Sequence, residues 1–177
     1  MDNGASSYRR YLDGDETAFE QIIKDYREPL TLFISEIVRD YHAAEDIAID
    51  VFAELAVNHR YNFKVTLKTY LYMLGRSRAI DYIRHRARHM SVTFEDAEPY
   101  LATGMSVEEE FLQDEQKREV HEAIAMLPEK MRTVVYLIYF EQLSYEEAAR
   151  IMKLNKKQVD NLLYRAKAEL RSMIVER

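Results

Sequence analysis

Apolar residues recur at helical spacing along most of this chain, in segments separated by short polar breaks. Phe19, Ile22, Ile23 and Tyr26 form one stripe, with Thr17 and Glu20 at its start as a candidate capping box. Pro29 suits the first turn of a new helix better than the interior of the old one, because it has no N–H to donate. Leu30, Phe33, Ile34, Ile37 and Val38 carry the spacing onward. A further helix is predicted from about Ala43 to Val57, with Ile47, Val51 and Leu55 inward and Glu45, Asp46, Asp50 and Glu54 outward. The periodicity lapses from His59 to Thr66, which predicts a loop. It resumes in a long helix from Thr66 to about Arg88, entered through Leu67, Leu71 and Leu74.

Residues Ser91 to Gln113 contain Pro99, Gly104 and the acidic run Glu108-Glu109-Glu110, a composition that predicts a flexible acidic linker. Helices resume from about Asp114 to Met126. Pro128 starts another, with Met131, Val134, Val135 and Ile138 on its inner side. Ser144 and Glu147 make a capping box for a short helix from Tyr145, whose Ala148, Ala149 and Ile151 suit a close helix crossing. Lys153-Leu154-Asn155 reads as a turn, and Asn155 caps a second helix from Lys156 to about Ser172. Val159, Leu163, Ala166 and Leu170 face inward there. Lys156, Lys157, Gln158, Asn161, Arg165 and Lys167 are left outward. The expected fold is all-α: two small helical domains, residues 1–90 and 114–177, joined by the linker 91–113, the second domain a helix-turn-helix.

Composition narrows the classes. The chain has 177 residues, is 47% hydrophobic and holds only 4 Gly and 3 Pro, in keeping with a mostly helical protein. No apolar run is long enough to span a bilayer, and the polar opening Met1-Asp2-Asn3-Gly4 predicts no secretory leader. The expectation is a cytoplasmic protein without membrane insertion. Zero cysteines exclude disulfides and thiolate metal sites. His42, His59, His85, His89 and His121 show no ligand spacing, so no metal and no cofactor are expected. No nucleophile–base pair or phosphate-cradling glycine loop stands out, which argues against an enzyme.

The net charge of −6 looks wrong for a nucleic-acid binder until it is divided along the chain. Residues 1–60 hold 6 basic against 13 acidic groups, residues 61–90 hold 7 against 1, residues 91–120 hold 2 against 9, and residues 121–177 hold 10 against 8. Segregation of this kind assigns different surfaces to different partners. The basic block interleaves Tyr61, Phe63, Tyr70, Tyr72 and Tyr82 with Lys64, Lys68, Arg76, Arg78, Arg84, Arg86 and Arg88. Cations follow a phosphate backbone, and aromatic faces stack unpaired bases, so the mixture favours single-stranded or locally opened DNA. The plainer alternative makes Tyr70 and Tyr82 core residues and the arginines a solvated helix end. The second helix of the C-terminal pair opens with Lys, Gln and Asn, side chains suited to base edges in a major groove.

In their order, these features resemble the small two-domain sigma factors of bacterial RNA polymerase, of the extracytoplasmic-function type. Ala44-Glu45-Asp46-Ile47-Ala48-Ile49-Asp50-Val51-Phe52 looks like the family's core-binding helix. Lys68-Thr69-Tyr70-Leu71-Tyr72 followed by Ala79-Ile80-Asp81-Tyr82-Ile83-Arg84 is similar to its promoter-melting helix. Leu127-Pro128, Leu143-Ser144-Tyr145-Glu146-Glu147-Ala148-Ala149 and Tyr164-Arg165-Ala166-Lys167 match its minus-thirty-five reader. The resemblance implies that Glu45, Asp46, Asp50 and Glu54 bind core polymerase. It further implies that Tyr61, Asn62, Phe63, Lys68, Tyr70, Arg76, Ser77, Arg84 and Arg88 bind the minus-ten element, and that Lys156, Lys157, Gln158, Asn161 and Arg165 read the minus-thirty-five element. The implied partners are the clamp and flap of core RNA polymerase, promoter DNA and, as a further candidate, an anti-sigma factor. Where the family commonly has Trp and Asn, this chain has Tyr70 and Ser77. Where the family often has Lys and Arg, it has Asp160 and Leu162, which predicts weak duplex affinity for the isolated protein. Two other readings stay open on the residues alone: a stand-alone helix-turn-helix activator, and a sequestered or decoy interaction module.

Overall fold

The structure is a computed structural model that describes residues 4–90 and 115–175. Among the described residues every regular element is helical. They divide into two compact units whose boundary lies among residues not described. The acidic linker expected at 91–113 lies outside the described residues.

The first unit contains α1 (Ala5–Leu12), α2 (Glu16–Val38), α3 (Tyr41–Asn58) and α4 (Leu67–Met90). α2 is its centre and packs on all three others. The expected break at Pro29 does not occur: α2 runs through it without interruption. An interior proline costs a helix about 3 kcal/mol. Against this, Ile22, Leu30, Phe33 and Ile34 are almost wholly buried, and each contributes about 1.5–3 kcal/mol only if the two halves stay aligned. The long apolar face overrides the local preference. The start of α2 also differs from expectation. Asp15, not Thr17, is the N-cap, and its carboxylate accepts the Ala18 N–H at 3.3 Å.

α3 is capped by Asp40, whose carboxylate accepts the Ala43 N–H at 3.1 Å, and it ends at His59 in the left-handed region. Thr66 starts α4, its hydroxyl accepting the Thr69 N–H at 3.1 Å. Leu67 and Leu71 are buried as the spacing predicts, while Tyr72 is buried too and stacks on Phe33 at 4.8 Å. Gly75 is where α4 comes closest to α2. A Cβ there would fall 3.0 Å from Leu30 Cδ1 and 3.2 Å from Ile34 Cδ1.

The second unit contains α5 (Glu115–Met126), α6 (Glu129–Val135), α7 (Tyr145–Met152) and α8 (Lys156–Val175), with a π-helical stretch, Tyr136–Phe140, extending α6. α8 packs against α5, α6 and α7. The end of α5 is closed by Arg132, which is buried and donates to the Leu127 carbonyl at 2.8 Å. Met131, Val134 and Val135 are inward as expected. Ile138 is only half-buried, and Leu137 takes the buried place. The wider π turn, with more residues per turn than an α-helix, shifts the register by about one residue.

Candidate nucleic-acid interface

The acidic helix presents its carboxylates unequally. Asp46 and Asp50 are exposed, together with Ile49, Ala53 and Val57 on the same helix. Glu45 ion-pairs with Arg27 at 3.7 Å and faces His42 at 3.8 Å. Glu54 is turned back into the fold: its side chain is 13% exposed and binds the Arg78 guanidinium at 2.6 Å, tying α3 to α4. The Glu54 hydrogen bond and charge hold the Arg78 guanidinium above its ordinary pKa. Of the four predicted core-contacting acids, two are outward and two are engaged within the unit.

The loop 59–66 is short and over-determined. Tyr61, expected on the DNA, is only 3% exposed, and its hydroxyl donates to the Val65 carbonyl at 2.7 Å. Its ring packs 4.7 Å from Phe63, 5.2 Å from Tyr70 and 5.5 Å from Tyr8. Tyr61 therefore shapes the loop from inside. Asn62 is exposed and its side-chain oxygen accepts the Lys64 N–H at 3.2 Å, an Asx turn that bends the chain. Phe63 follows with φ of 61°, left-handed, and is half-buried. Tyr70 is half-buried beneath the loop. Burial first, and then the Glu54 charge, raise its hydroxyl pKa, so it stays a neutral donor.

Along α4 the predicted contacts separate by depth. Arg76 is 8% exposed and sits inside the unit, where it cannot follow a phosphate backbone without leaving its place. Lys68 and Ser77 are half-buried, with the Lys68 ammonium 5.7 Å over the Tyr72 ring. Arg84 and Arg88 are exposed on the last turns, Arg84 lying 3.7 Å from Asp81 and the Arg88 Nε donating to the Arg84 carbonyl at 3.3 Å. The burial of Tyr61 and Arg76 was hidden in the sequence because both belong to the aromatic-basic pattern whichever way they point.

α7 and α8 form the expected helix-turn-helix. The capping box of Ser144 and Glu147 is complete, and Lys153 makes the left-handed turn. Val159, Leu163 and Ala166 are buried against the rest of the unit. Lys156, Lys157, Gln158, Asn161 and Arg165 are all exposed on α8, as is Asp160. Two of the five are partly committed. Lys156 ion-pairs with Glu146 at 2.5 Å, which lowers the carboxyl pKa and raises that of the amine. Gln158 exchanges hydrogen bonds with Asn155, each side-chain oxygen accepting the other's backbone N–H, at 2.8 and 2.9 Å. Lys167 packs its ammonium 5.5 Å over the Tyr139 ring.

Sequence reasoning missed α1 altogether. Tyr8 and Tyr11 are three residues apart, followed by Gly14 at φ 99° and the Asp15 cap, a stop-and-start signal that could have marked a short helix.

Comparison with known proteins agrees with this layout. Residues 22–89 match the family model described as sigma-70 region 2, and residues 117–170 match that described as sigma-70, region 4. The RNA polymerase sigma-H factor of Pseudomonas aeruginosa is 32% identical over 168 residues, covering 89% of this chain and 86% of the relative. The ECF RNA polymerase sigma factor SigW of Bacillus subtilis is 26% identical over 170 residues, 91% of each chain. Among solved structures, CnrH in complex with the cytosolic domain of CnrY has the same fold, with a TM-score of 0.69 at 18% identity over 99% of both chains. The sigma factor RpoE, in complex with the anti-sigma factor NepR from Bartonella quintana, aligns at a TM-score of 0.68 and 21% identity, covering 88% of this chain and 96% of that one. Two region models in the right order, on the helices that carry the exposed acids, the aromatic loop and the helix-turn-helix, place this chain in the sigma-70 family of RNA polymerase sigma factors, among those of extracytoplasmic-function type.

Proposed function

We propose that this alternative sigma factor divides its work between two domains, residues 1–90 and 114–177, in the cytoplasm. As a member of its family it binds core RNA polymerase and promoter DNA, directs transcription initiation and performs no catalysis itself. Asp46 and Asp50 meet a basic surface of the polymerase clamp, with Glu45 at the margin and Glu54 acting through Arg78. Asn62 and Phe63 receive an unpaired base, over a floor of Tyr61 and Tyr70. Lys68, Arg84 and Arg88 follow the phosphates of the opened minus-ten strand, while Ser77 lies beside it and Arg76 supports it from within. Lys157, Asn161 and Arg165 read the minus-thirty-five duplex, joined by Lys156 and Gln158 at the start of α8, with the second domain against the flap. The acidity of residues 91–113 keeps them off DNA and suits a basic path on the polymerase. An anti-sigma factor would compete for these same faces.

The observation that carries this reading is the sorting of exposed charge: carboxylates on α3, cations on the outer turns of α4 and on α8. Charge complementarity governs encounter and register, so the surfaces need not compete for one partner. The test is run-off transcription with core enzyme on randomised promoters. Asp46→Lys with Asp50→Lys should weaken core binding steeply at low salt in a folded protein. Phe63→Ala should reduce promoter opening more than closed-complex formation. Transcription unaffected by either change would refute the assignment.

A further inference from the structure

α1 precedes both segments matched by the region models, yet it is built into the loop that the first of them contains. It closes the end of α3. The Tyr8 hydroxyl donates to the Leu55 carbonyl at 3.1 Å and that of Tyr11 to the Ala56 carbonyl at 3.4 Å, two of the carbonyls that a last helical turn leaves without a helical partner. Tyr8 is wholly buried, and its ring lies 5.5 Å from Tyr61 and 6.0 Å from Phe63. The register of α1 is fixed at its start. Gly4 has φ of 77°, and a Cβ there would fall 2.8 Å from Leu67 Cδ2 and 2.9 Å from the Tyr26 hydroxyl oxygen. Held in this way, α1 carries Arg9 onto the loop, with its guanidinium carbon 4.7 Å from the centre of the Phe63 ring. Arg9 is exposed, as are Arg60 and Lys64 within the same loop. The neighbouring Arg10 is used differently and pairs with Asp15 at 2.8 Å.

An exposed guanidinium lying over a half-buried ring is weakly held, and a nucleic-acid base stacks on such a ring more strongly. We propose that Arg9 is a strand-capturing residue. It occupies the face of Phe63 in the free protein, yields that face to an unpaired base, and then binds the phosphate beside the base. This rests on the reading of the 59–66 loop as the site of the opened strand. It adds a cation from outside the region-2 match and explains why an arginine stands over the ring. The plain alternative is that Arg9 only packs against Phe63 to stabilise the loop, and the two differ in their dependence on salt.

The test uses holoenzyme assembled from the full chain and core polymerase, with a pre-opened fragment of a promoter recovered by selection. One phosphate contact on a single strand contributes about 0.7 to the slope of log affinity against log salt. Raising salt from about 50 to about 200 mM should therefore weaken the wild-type complex about 2.6-fold more than Arg9→Gln. Arg9→Lys should keep the wild-type slope, and binding to the fully paired fragment should be the same for all three proteins. An Arg9→Gln protein that has a lower melting temperature and the wild-type salt slope would overturn the proposal in favour of packing. Phe63→Ala separates the two levels. If it leaves opening intact, the loop reading and Arg9 fall together; if it impairs opening while Arg9→Gln keeps the wild-type slope, only Arg9 falls.

Discussion

The capping of α8 by Gln158 and its proposed reading of the upstream element can be separated by substitution. At the third position of α8 its side-chain oxygen accepts the Asn155 N–H at 2.9 Å, while its own N–H donates to the Asn155 side chain at 2.8 Å. The oxygen is thus occupied in capping, and the amide –NH2 is what remains to donate to a base or phosphate. Gln158→Ala removes half of the reciprocal box and should cost about 0.5–1 kcal/mol. In a unit of this size that lowers Tm by about 2–8 °C. Gln158→Glu keeps an acceptor and adds a negative charge at the positive end of the helix, worth about 0.3–1 kcal/mol in the stabilising direction. It leaves no donor, however, and sets a carboxylate against the DNA. A single donated hydrogen bond from that –NH2 contributes about 0.5–1.5 kcal/mol, or about 2- to 13-fold. Gln158→Glu should therefore be more stable and yet lose upstream-element preference on that scale, whereas Asn161→Ala should lose preference with no loss of Tm, because alanine is the better helix former. Calorimetry of the free protein and selection by holoenzyme on promoters randomised upstream measure the two effects separately. Unaltered base preference and affinity in Gln158→Glu would show that Gln158 is a cap and nothing more. Full thermal stability in Gln158→Ala would refute the capping account.

Other consequences follow from the first unit and its caps. Glu54→Gln should destabilise that unit by about 1 kcal/mol, a figure discounted because Arg78 is half exposed, while lowering core affinity less than Asp46→Asn does; urea titration and core-binding titration check the pair. Gly75→Val should destabilise by about 1–3 kcal/mol by forcing Leu30 and Ile34 aside. Gly75→Ala should stay within about 1 kcal/mol of wild type, since its helix propensity offsets a smaller intrusion. Hydrogen bonds from Thr17 and then Arg10 hold the Asp15 carboxyl below its ordinary 3.8. Its stabilising contribution is complete above that value and is lost as pH falls through the lowered folded pKa. Asp15→Asn should flatten the acid side of the stability curve below about pH 4, as read from urea midpoints between pH 3 and 6. An unchanged acid slope would show that the cap carries no charge-dependent stability.

The helix-turn-helix was the most legible part of the sequence. Ser144, Glu147 and Asn155 act through residues three positions away, and Val159, Leu163 and Ala166 sit on one face of a single helix. Those are local relations, which spacing alone can state. The loop at 59–66 was legible for the same reason, as a gap in periodicity. Pro29 was misread because a local preference for breaking the helix is outweighed by the continuous apolar face on either side of it. Ile138 was misplaced because a π turn leaves no mark in a pattern assumed to be α-helical.

For the candidate site, the sequence by itself determined which residue types are present and in what order: acids on one helix, aromatics and cations on the next, amides and cations at the end. It could not decide which of them face outward. Glu54 turns in to Arg78, which stands 24 residues away, and Tyr61 and Arg76 are buried while Arg84 and Arg88 are not. α1 is tied to the end of α3 by the bond from Tyr8 to Leu55, 47 residues on. Only the tertiary structure decides such matters, because a polar or aromatic side chain is equally compatible with solvent and with a satisfied interior. Which of the two it takes depends on partners that are distant in the chain and are brought near by packing of the apolar faces.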